Sequence, residues 1–312
     1  MNEKSPTVSV IMPVYNVSNY ILDAVNSILN QTYQDFELII VDDSSTDDTY
    51  RVLIDNFSKN KKIKILRNSK NKKIVYSLNK ALSYASGEFI ARIDGDDIAY
   101  PDRIERQVNY LLQHPCVDLV GCDLETINDS GHSTGAFNRF PENFDILNKM
   151  AYFCPPVSHI WLCRASVYKH LNGYRFPSVE DYDFLLRMIT SGYKFANIPN
   201  YVGMKIRIRD GSTSTLFGVS QRLAFNFVRQ LYNERLRFGI ECTDSGNFTK
   251  YINNSTFFKL HSLSNALCKR AILSSGAMKY ILFLMSAIAS PYQAQYMYCR
   301  IRAKIIIWRS GK

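Results

Sequence analysis

The chain has 312 residues, 46% of them hydrophobic and 21% charged, a composition that suits one large domain, or a domain with an appendage, and excludes a disordered chain. No apolar run reaches the ~18 residues that span a bilayer; the longest candidate is 280–289. The net charge of +10 is uneven: residues 1–218 hold 24 Lys/Arg against 25 Asp/Glu, whereas residues 219–312 hold 14 against 3, with no acidic residue after Asp244.

The opening residues are polar and show no cleavage-site pattern, so no secretory signal is expected. Residues 7–12 form a β-branched run ending at Pro13 and predict a strand. Ser18 then predicts an N-cap, and Ile21, Ala24, Val25 and Ile28 fall on one face of a helix. The next strand is 36–41, with Asp42, Asp43, Ser44 and Ser45 at its carboxyl end and a helix starting near Thr46. Residues 62–66, 89–93 and 117–120 predict further strands, and 74–85 and 102–113 predict helices between them. This alternation predicts an α/β fold with a mostly parallel sheet covered by helices, and ligands then bind outside the carboxyl ends of the strands. Residues 122–215 are less periodic and predict an acceptor-shaping part of the same domain, 1–218; residues 219–312 predict a helical, basic C-terminal region.

Two residue types exclude common activities. The first glycine is Gly87, so the opening strand–helix units hold neither a dinucleotide-binding G-x-G-x-x-G turn nor a P-loop. The late glycine also argues against a nucleotidyltransferase. The seven cysteines form no C-x-x-C pair, against a zinc site or a disulfide framework and in favour of a reducing cytosol. A sequence pI of 9.2 raises nucleic-acid binding, but the neutral first 218 residues and the apolar content of the tail argue against it.

Three acidic clusters carry the chemistry. Asp94-Gly95-Asp96-Asp97 closes a strand with three carboxylates, whose repulsion a divalent cation would relieve; a solvated acidic turn before a helix fits the same residues. Asp42-Asp43 suits a hydrogen bond to a base or ribose, and equally a helix cap. Glu180-Asp181-Tyr182-Asp183 opens an apolar helical stretch, where capping is the competing explanation.

Together V-S-V-I-M-P-V-Y-N (8–16), S-I-L-N-Q-T (27–32), F-E-L-I-I-V-D-D-S-S-T-D-D-T (36–49), S-L-N-K-A-L…A-S-G-E-F-I-A-R-I-D-G-D-D (77–97), P-D-R-I-E-R-Q (101–107) and E-D-Y-D-F-L-L-R (180–187) resemble glycosyltransferase family 2 over about residues 6–215. The resemblance implies a GT-A fold and an inverting, metal-dependent enzyme using Mn²⁺ or Mg²⁺. Pro13 and Tyr15 would line the base pocket, Asp43 would bind the base, Asp42 would support the loop and Asp94 would contact ribose. Asp96 would be the metal ligand, Asp97 and Glu180 accessory carboxylates, and Asp181 the catalytic base. Two departures stand out. Asn71-Lys72-Lys73 replaces an N-x-G, so Lys73 would offer a basic contact instead of backbone freedom. Arg207-Ile208-Arg209 replaces a histidine segment, so Arg209 would contact the diphosphate, which guanidinium pairs with bidentately. His159 either faces the acceptor or is structural. The partners implied are a UDP-sugar and a lipid diphosphate-linked glycan of O-antigen or capsule assembly, with the protein cytoplasmic and peripheral on the inner face of the membrane. The basic, aromatic-rich tail suits an anionic membrane surface, or else packs on the catalytic domain. A non-catalytic glycan-binding scaffold is the alternative if the carboxylates bind nothing.

Overall fold

The computed structural model describes residues 7–208, 218–253 and 258–310. In chain order the elements are β1 (Val8–Val14), α1 (Ile21–Leu29), β2 (Phe36–Asp42), α2 (Thr49–Phe57), β3 (Ile63–Arg67), α3 (Lys73–Tyr84), β4 (Phe89–Arg92), β5 (Ile98–Ala99) and α4 (Arg103–Gln113). Then follow β6 (Leu119–Ile127), β7 (Ser133–Asn138), α5 (Phe144–Ala151), β8 (Leu162–Arg164), α6 (Ala165–His170), α7 (Glu180–Thr190) and β9 (Phe195–Arg207). The remainder is helical: α8 (Val219–Phe238), α9 (Phe248–Asn253), α10 (Phe258–Leu273), α11 (Gly276–Ala289) and α12 (Pro291–Ser310).

The sheet runs β3-β2-β1-β4-β8-β6-β9-β5, with β7 added to β6. The first four strands are mutually parallel, as the strand–helix alternation requires. Beyond β4 the sheet is mixed: β8 runs antiparallel to both neighbours, β9 is parallel to β6, and β5 is antiparallel to β9. The parallel pattern ends where the regular alternation in the sequence ends. Val14 pairs with Asp42 and Ile11 with Arg92, so the carboxyl ends of β1, β2 and β4 lie together along one edge.

Period-2 alternation sends strand side chains to two cores. Val10, Met12, Leu38 and Ile40 pack with Ile21, Val25 and Ile28 of α1 and Ile104 and Val108 of α4. Ile11, Ile39, Val41 and Ile90 pack on the other face with Leu78, Trp161, Phe184 and Phe195. Each such side chain contributes about 1.5–3 kcal/mol on full burial. A third core joins Tyr182 and Leu186 of α7 to Ala224, Phe227, Val228 and Leu231 of α8.

The expected face of α1 is the buried one, Ile21, Ala24, Val25 and Ile28. Ser18 does not cap it: Tyr20 takes the N-cap position, and the Ser18 amide donates to Asp47 instead. That bond ties the loop after β1 to the loop after β2, and α2 starts at Thr49 rather than near Thr46. Gly95 is needed for space rather than for an unusual dihedral. A Cβ there would lie 2.6 Å from Val14 Cγ1, so the acidic turn rests directly on β1.

Among the described residues, no helix is long and apolar enough to cross a membrane. In α11, Met278, Tyr280, Ile281, Leu284, Met285 and Ile288 are exposed, Tyr280 at 74%.

Candidate active site at the carboxyl edge of the sheet

Asn16 lies two residues beyond β1 and Ser44 two beyond β2, both with left-handed backbones (φ 52° and 61°). Side chains other than glycine adopt this region at a cost of about 1–3 kcal/mol, so surrounding contacts must hold it. Here the Asn16 amide donates to Ser45 Oγ at 3.0 Å, and Asn16 Oδ1 accepts from the Thr46 amide at 2.9 Å. Pro13 is buried in β1, and Tyr15 stands at the edge, 43% exposed.

Asp42 and Asp43 are both buried, with different partners. Asp42 faces the Ser45 amide and pairs with Arg67 Nε at 3.1 Å, which supports the loop. Asp43 accepts from Asn68 Nδ2 at 2.7 Å and from the amides of Lys72 and Lys73, each at 2.8 Å. It thus caps the start of α3, the helix after next. A carboxylate has about four acceptor positions, so Asp43 retains room for a further donor. Lys73 adopts φ 68°, the conformation a glycine would take most cheaply, and its backbone serves Asp43 while its side chain is exposed.

The acidic turn is held from below by Arg92, a fully buried arginine at the end of β4. Its Nε meets Asp94 Oδ1 and its Nη2 meets Glu180 Oε1, both at 3.2 Å. This links the β4 turn to the N-terminus of α7. His159, on the loop between α5 and β8, places Nε2 3.4 Å from Asp94 Oδ2. Burial pushes the Asp94 carboxyl up, but Arg92 and His159 outweigh it and hold the group well below the usual range. Burial likewise lowers His159, and the bond to Asp94 more than reverses this, so the imidazole is raised. Burial raises Glu180 against the pull of Arg92. Burial, reinforced by Asp96 and Asp94, pushes Asp97 well above the ordinary carboxylate value.

Asp94, Asp97 and His159 each place one ligand atom within 4.8 Å of the others, forming a candidate metal-coordinating cluster. Asp96, the ligand expected from D-x-D, is half-buried and is not a member of this group; its carbonyl accepts from Arg207 Nε at 2.9 Å. The donor set of two carboxylates and an imidazole suits Mn²⁺ better than Mg²⁺, which prefers oxygen alone. The raised Asp97 marks an acidic pair that a dication would relieve.

Asp181 sits in the first turn of α7, half-buried, with Oδ1 accepting from the Tyr182 amide at 2.7 Å. It is near enough to add to the positive shifts of both Arg92 and His159. Asp183, two residues on, is turned into the protein and is gripped by Arg175 and Arg187. Arg207 is buried and clamps the acidic turn, its amide on Asp97 Oδ1 at 2.9 Å and its guanidinium on the carbonyls of Asp96, Asn128 and Asp129. Arg209 lies outside the described residues.

The structure therefore brings Asp94, Asp97, His159, Glu180 and Asp181 together around Arg92, with Tyr15 and Asp43 along the same strand edge. Sequence reasoning gave Arg92 no role. Its signal was a lone charge at the end of an apolar strand, immediately before the acidic turn.

Residues 9–171 match Glycosyl transferase family 2, and the chain belongs to that family. It is a glycosyltransferase that uses a nucleotide-sugar donor. An uncharacterized glycosyltransferase of Haemophilus influenzae is 34% identical over 230 residues, covering 70% of this chain and 71% of that one. Among solved structures, residues 1–349 of S. aureus TarS in complex with UDP-GlcNAc superpose with a TM-score of 0.62 at 19% identity, covering 98% of this chain and 92% of that one. The mannosyltransferase PcManGT from Pyrobaculum calidifontis, in complex with GDP-Man and Mn²⁺, gives 0.58 at 19% identity, covering 98% and 88%. At these identities the two structures speak to the GT-A-like fold.

Proposed function

We propose that the protein transfers a sugar from a UDP-sugar, with inversion, to a hydroxyl of a lipid diphosphate-linked glycan in surface polysaccharide assembly. Residues 1–218 form the catalytic unit in this reading. The observation that carries it is the Arg92 bridge, which sets the carboxylate-bearing start of α7 beside the Asp94–Asp97–His159 cluster.

Asp43 accepts from the base, Tyr15 packs on it, and Asp94 contacts the ribose. The amides of Lys72 and Lys73 fix Asp43 in place before the donor arrives. Asp94, Asp97 and His159 would hold Mn²⁺, with Asp96 as the remaining carboxylate of the turn. When bound, the ion would supply Lewis-acid stabilisation of the leaving diphosphate. Asp181 takes the proton of the attacking hydroxyl, as a general base on the acceptor side. No covalent enzyme intermediate is required.

The test is UDP release from a panel of UDP-sugars with a lipid diphosphate acceptor. Release should need Mn²⁺, stop with chelator and return on addition of the metal. His159→Ala should raise the Mn²⁺ requirement about 10–100-fold. A protein that binds UDP-sugars but neither releases UDP nor forms product would be the non-catalytic scaffold instead.

The exposed apolar residues of α11, in a region with ten basic and no acidic residues after Asp244, support placement on an anionic membrane surface at the cytoplasmic face. The doubly substituted Tyr280→Asp, Leu284→Asp protein should lose most of its co-sedimentation with anionic vesicles. Undiminished sedimentation would remove the role given to this helix.

A further inference from the structure

An open cavity of about 470 Å³ lies between Tyr152, α8 and α12, a size within the range of about 300–1,000 Å³ usual for ligand pockets. Asn226, Gln230, Asn233, Glu234 and Arg237 recur at helical spacing and form one face of α8. A different face of α8, with Ala224, Phe227, Val228 and Leu231, packs on α7. The polar side chains hold one another in place. Asn226 Nδ2 donates to Gln295 Oε1 at 2.8 Å, and Arg229 Nη2 donates to Asn226 Oδ1 at 2.6 Å. Gln230 Nε2 donates to Thr243 Oγ1 at 2.7 Å and to Glu234 Oε1 at 3.1 Å. Glu234 also accepts from the amides of Cys242 and Thr243, each at 2.8 Å, which fastens the segment after α8 to the cavity. An amide side chain carries an acceptor oxygen and a donor nitrogen. Gln295 spends its oxygen on Asn226 and offers its nitrogen; Gln230 spends its nitrogen and offers its oxygen. Both residues line the cavity and are exposed. Two aromatic rings complete the walls, Tyr152 and Phe238, the latter 62% exposed.

We propose that this cavity binds an oligosaccharide at a site separate from the donor pocket. A sugar hydroxyl both donates and accepts, so it is served by neighbouring amides that offer opposite polarity. The C–H face of a sugar ring is apolar and covers an exposed aromatic ring. From Asn226 to Phe238 the face runs about 18 Å along the helix axis, longer than one sugar ring, so the ligand is a chain of sugars. The polar groups are fixed before it arrives, which lowers the ordering cost of binding. The described lining residues belong to Tyr152, α8 and α12, none of them at the carboxyl ends of β1, β2 or β4. The cavity is nevertheless joined to the reaction centre: Tyr152 O accepts from Tyr182 Oη at 2.9 Å, and Tyr182 follows Asp181. Assigning the bound sugars to the part of a glycan acceptor remote from the reacting hydroxyl rests on the function proposed above; the saccharide site itself does not.

The experiment is a screen of the full chain, in chelator and without donor, against an array of defined neutral and acidic oligosaccharides. The strongest binder and its constituent monosaccharides are then titrated by calorimetry. The oligosaccharide should bind at least about tenfold more tightly than any of its monosaccharides, and saturating UDP should not displace it. Gln295→Ala should weaken it about three- to tenfold, the loss of one hydrogen bond. Phe238→Ala should weaken it by a similar factor, through the lost ring contact. Both side chains are exposed, so thermal melting should show both variants folded. No binder in the array, unchanged affinity in either variant, or displacement by UDP overturns the site. Equal affinity for the oligosaccharide and a monosaccharide overturns the extended ligand. A dimer that Phe238→Ala abolishes, with no saccharide bound, makes this face a contact between copies and also overturns the proposal. UDP-sugar turnover is read on the wild-type preparation. Its absence with saccharide binding intact would defeat the transferase reading alone, and the reverse pattern would defeat the saccharide site alone.

Discussion

Asp181→Asn should cut sugar transfer by about 10²–10⁴-fold, the contribution typical of a positioned general base. Asparagine fills the same space and its side-chain oxygen can still accept from the Tyr182 amide, so thermal stability and UDP-sugar affinity should stay near wild type. The loss should fall on kcat measured at saturating donor and acceptor. Transfer near the wild-type rate by a folded variant would reject Asp181 as the base.

Asp183→Asn, two residues along the same helix turn, should do the opposite. Asp183 is fully buried, receives Arg175 through Nη2 at 2.7 Å and Nε at 3.0 Å, and pairs with Arg187 Nε at 2.8 Å. Arg175 also reaches Glu241, beyond the end of α8, and Glu241 in turn binds Arg235. Removing one member of a buried ionic network costs about 3–5 kcal/mol. Burial raises the Asp183 carboxyl, but Arg187 and Arg175 overcome it and the folded value lies below the ordinary one. A depressed folded value gives stability that is complete above the unfolded carboxylate range, near pH 4, and is lost as pH falls through the folded value. The gap between wild type and Asp183→Asn in denaturant midpoints should therefore be full at pH 7 and shrink below about pH 4. A gap that does not change with pH would mean that packing, not charge, holds this corner.

The contrast between Asp181 and Asp183 shows where sequence reading stops. Both are carboxylates of the E-D-Y-D run, and either could cap a helix or serve chemistry. Helical geometry turns Asp183 toward Arg175 and Arg187 and leaves Asp181 on the site side. The arginine eight residues before Asp183 carries no motif that announces the pairing. Asp43 gives a similar lesson. The capping role read from Asp42-Asp43 exists, but Asp43 caps α3, 29 and 30 residues away, because β2 and the start of α3 meet at one sheet edge.

By itself, the sequence determined the α/β class, the first four strands with their helices and the edge on which the acidic turns gather. Those features follow from local periodicity and from strand–helix alternation, which the first 120 residues carry. Only tertiary structure decided that β8 enters antiparallel, that His159 joins Asp94 and Asp97, and that Arg92 ties Asp94 to Glu180. These are contacts between residues 2 to 88 positions apart whose partners are chosen by sheet order and burial. A buried arginine must find its carboxylates wherever the fold delivers them, and no spacing in the chain records that choice.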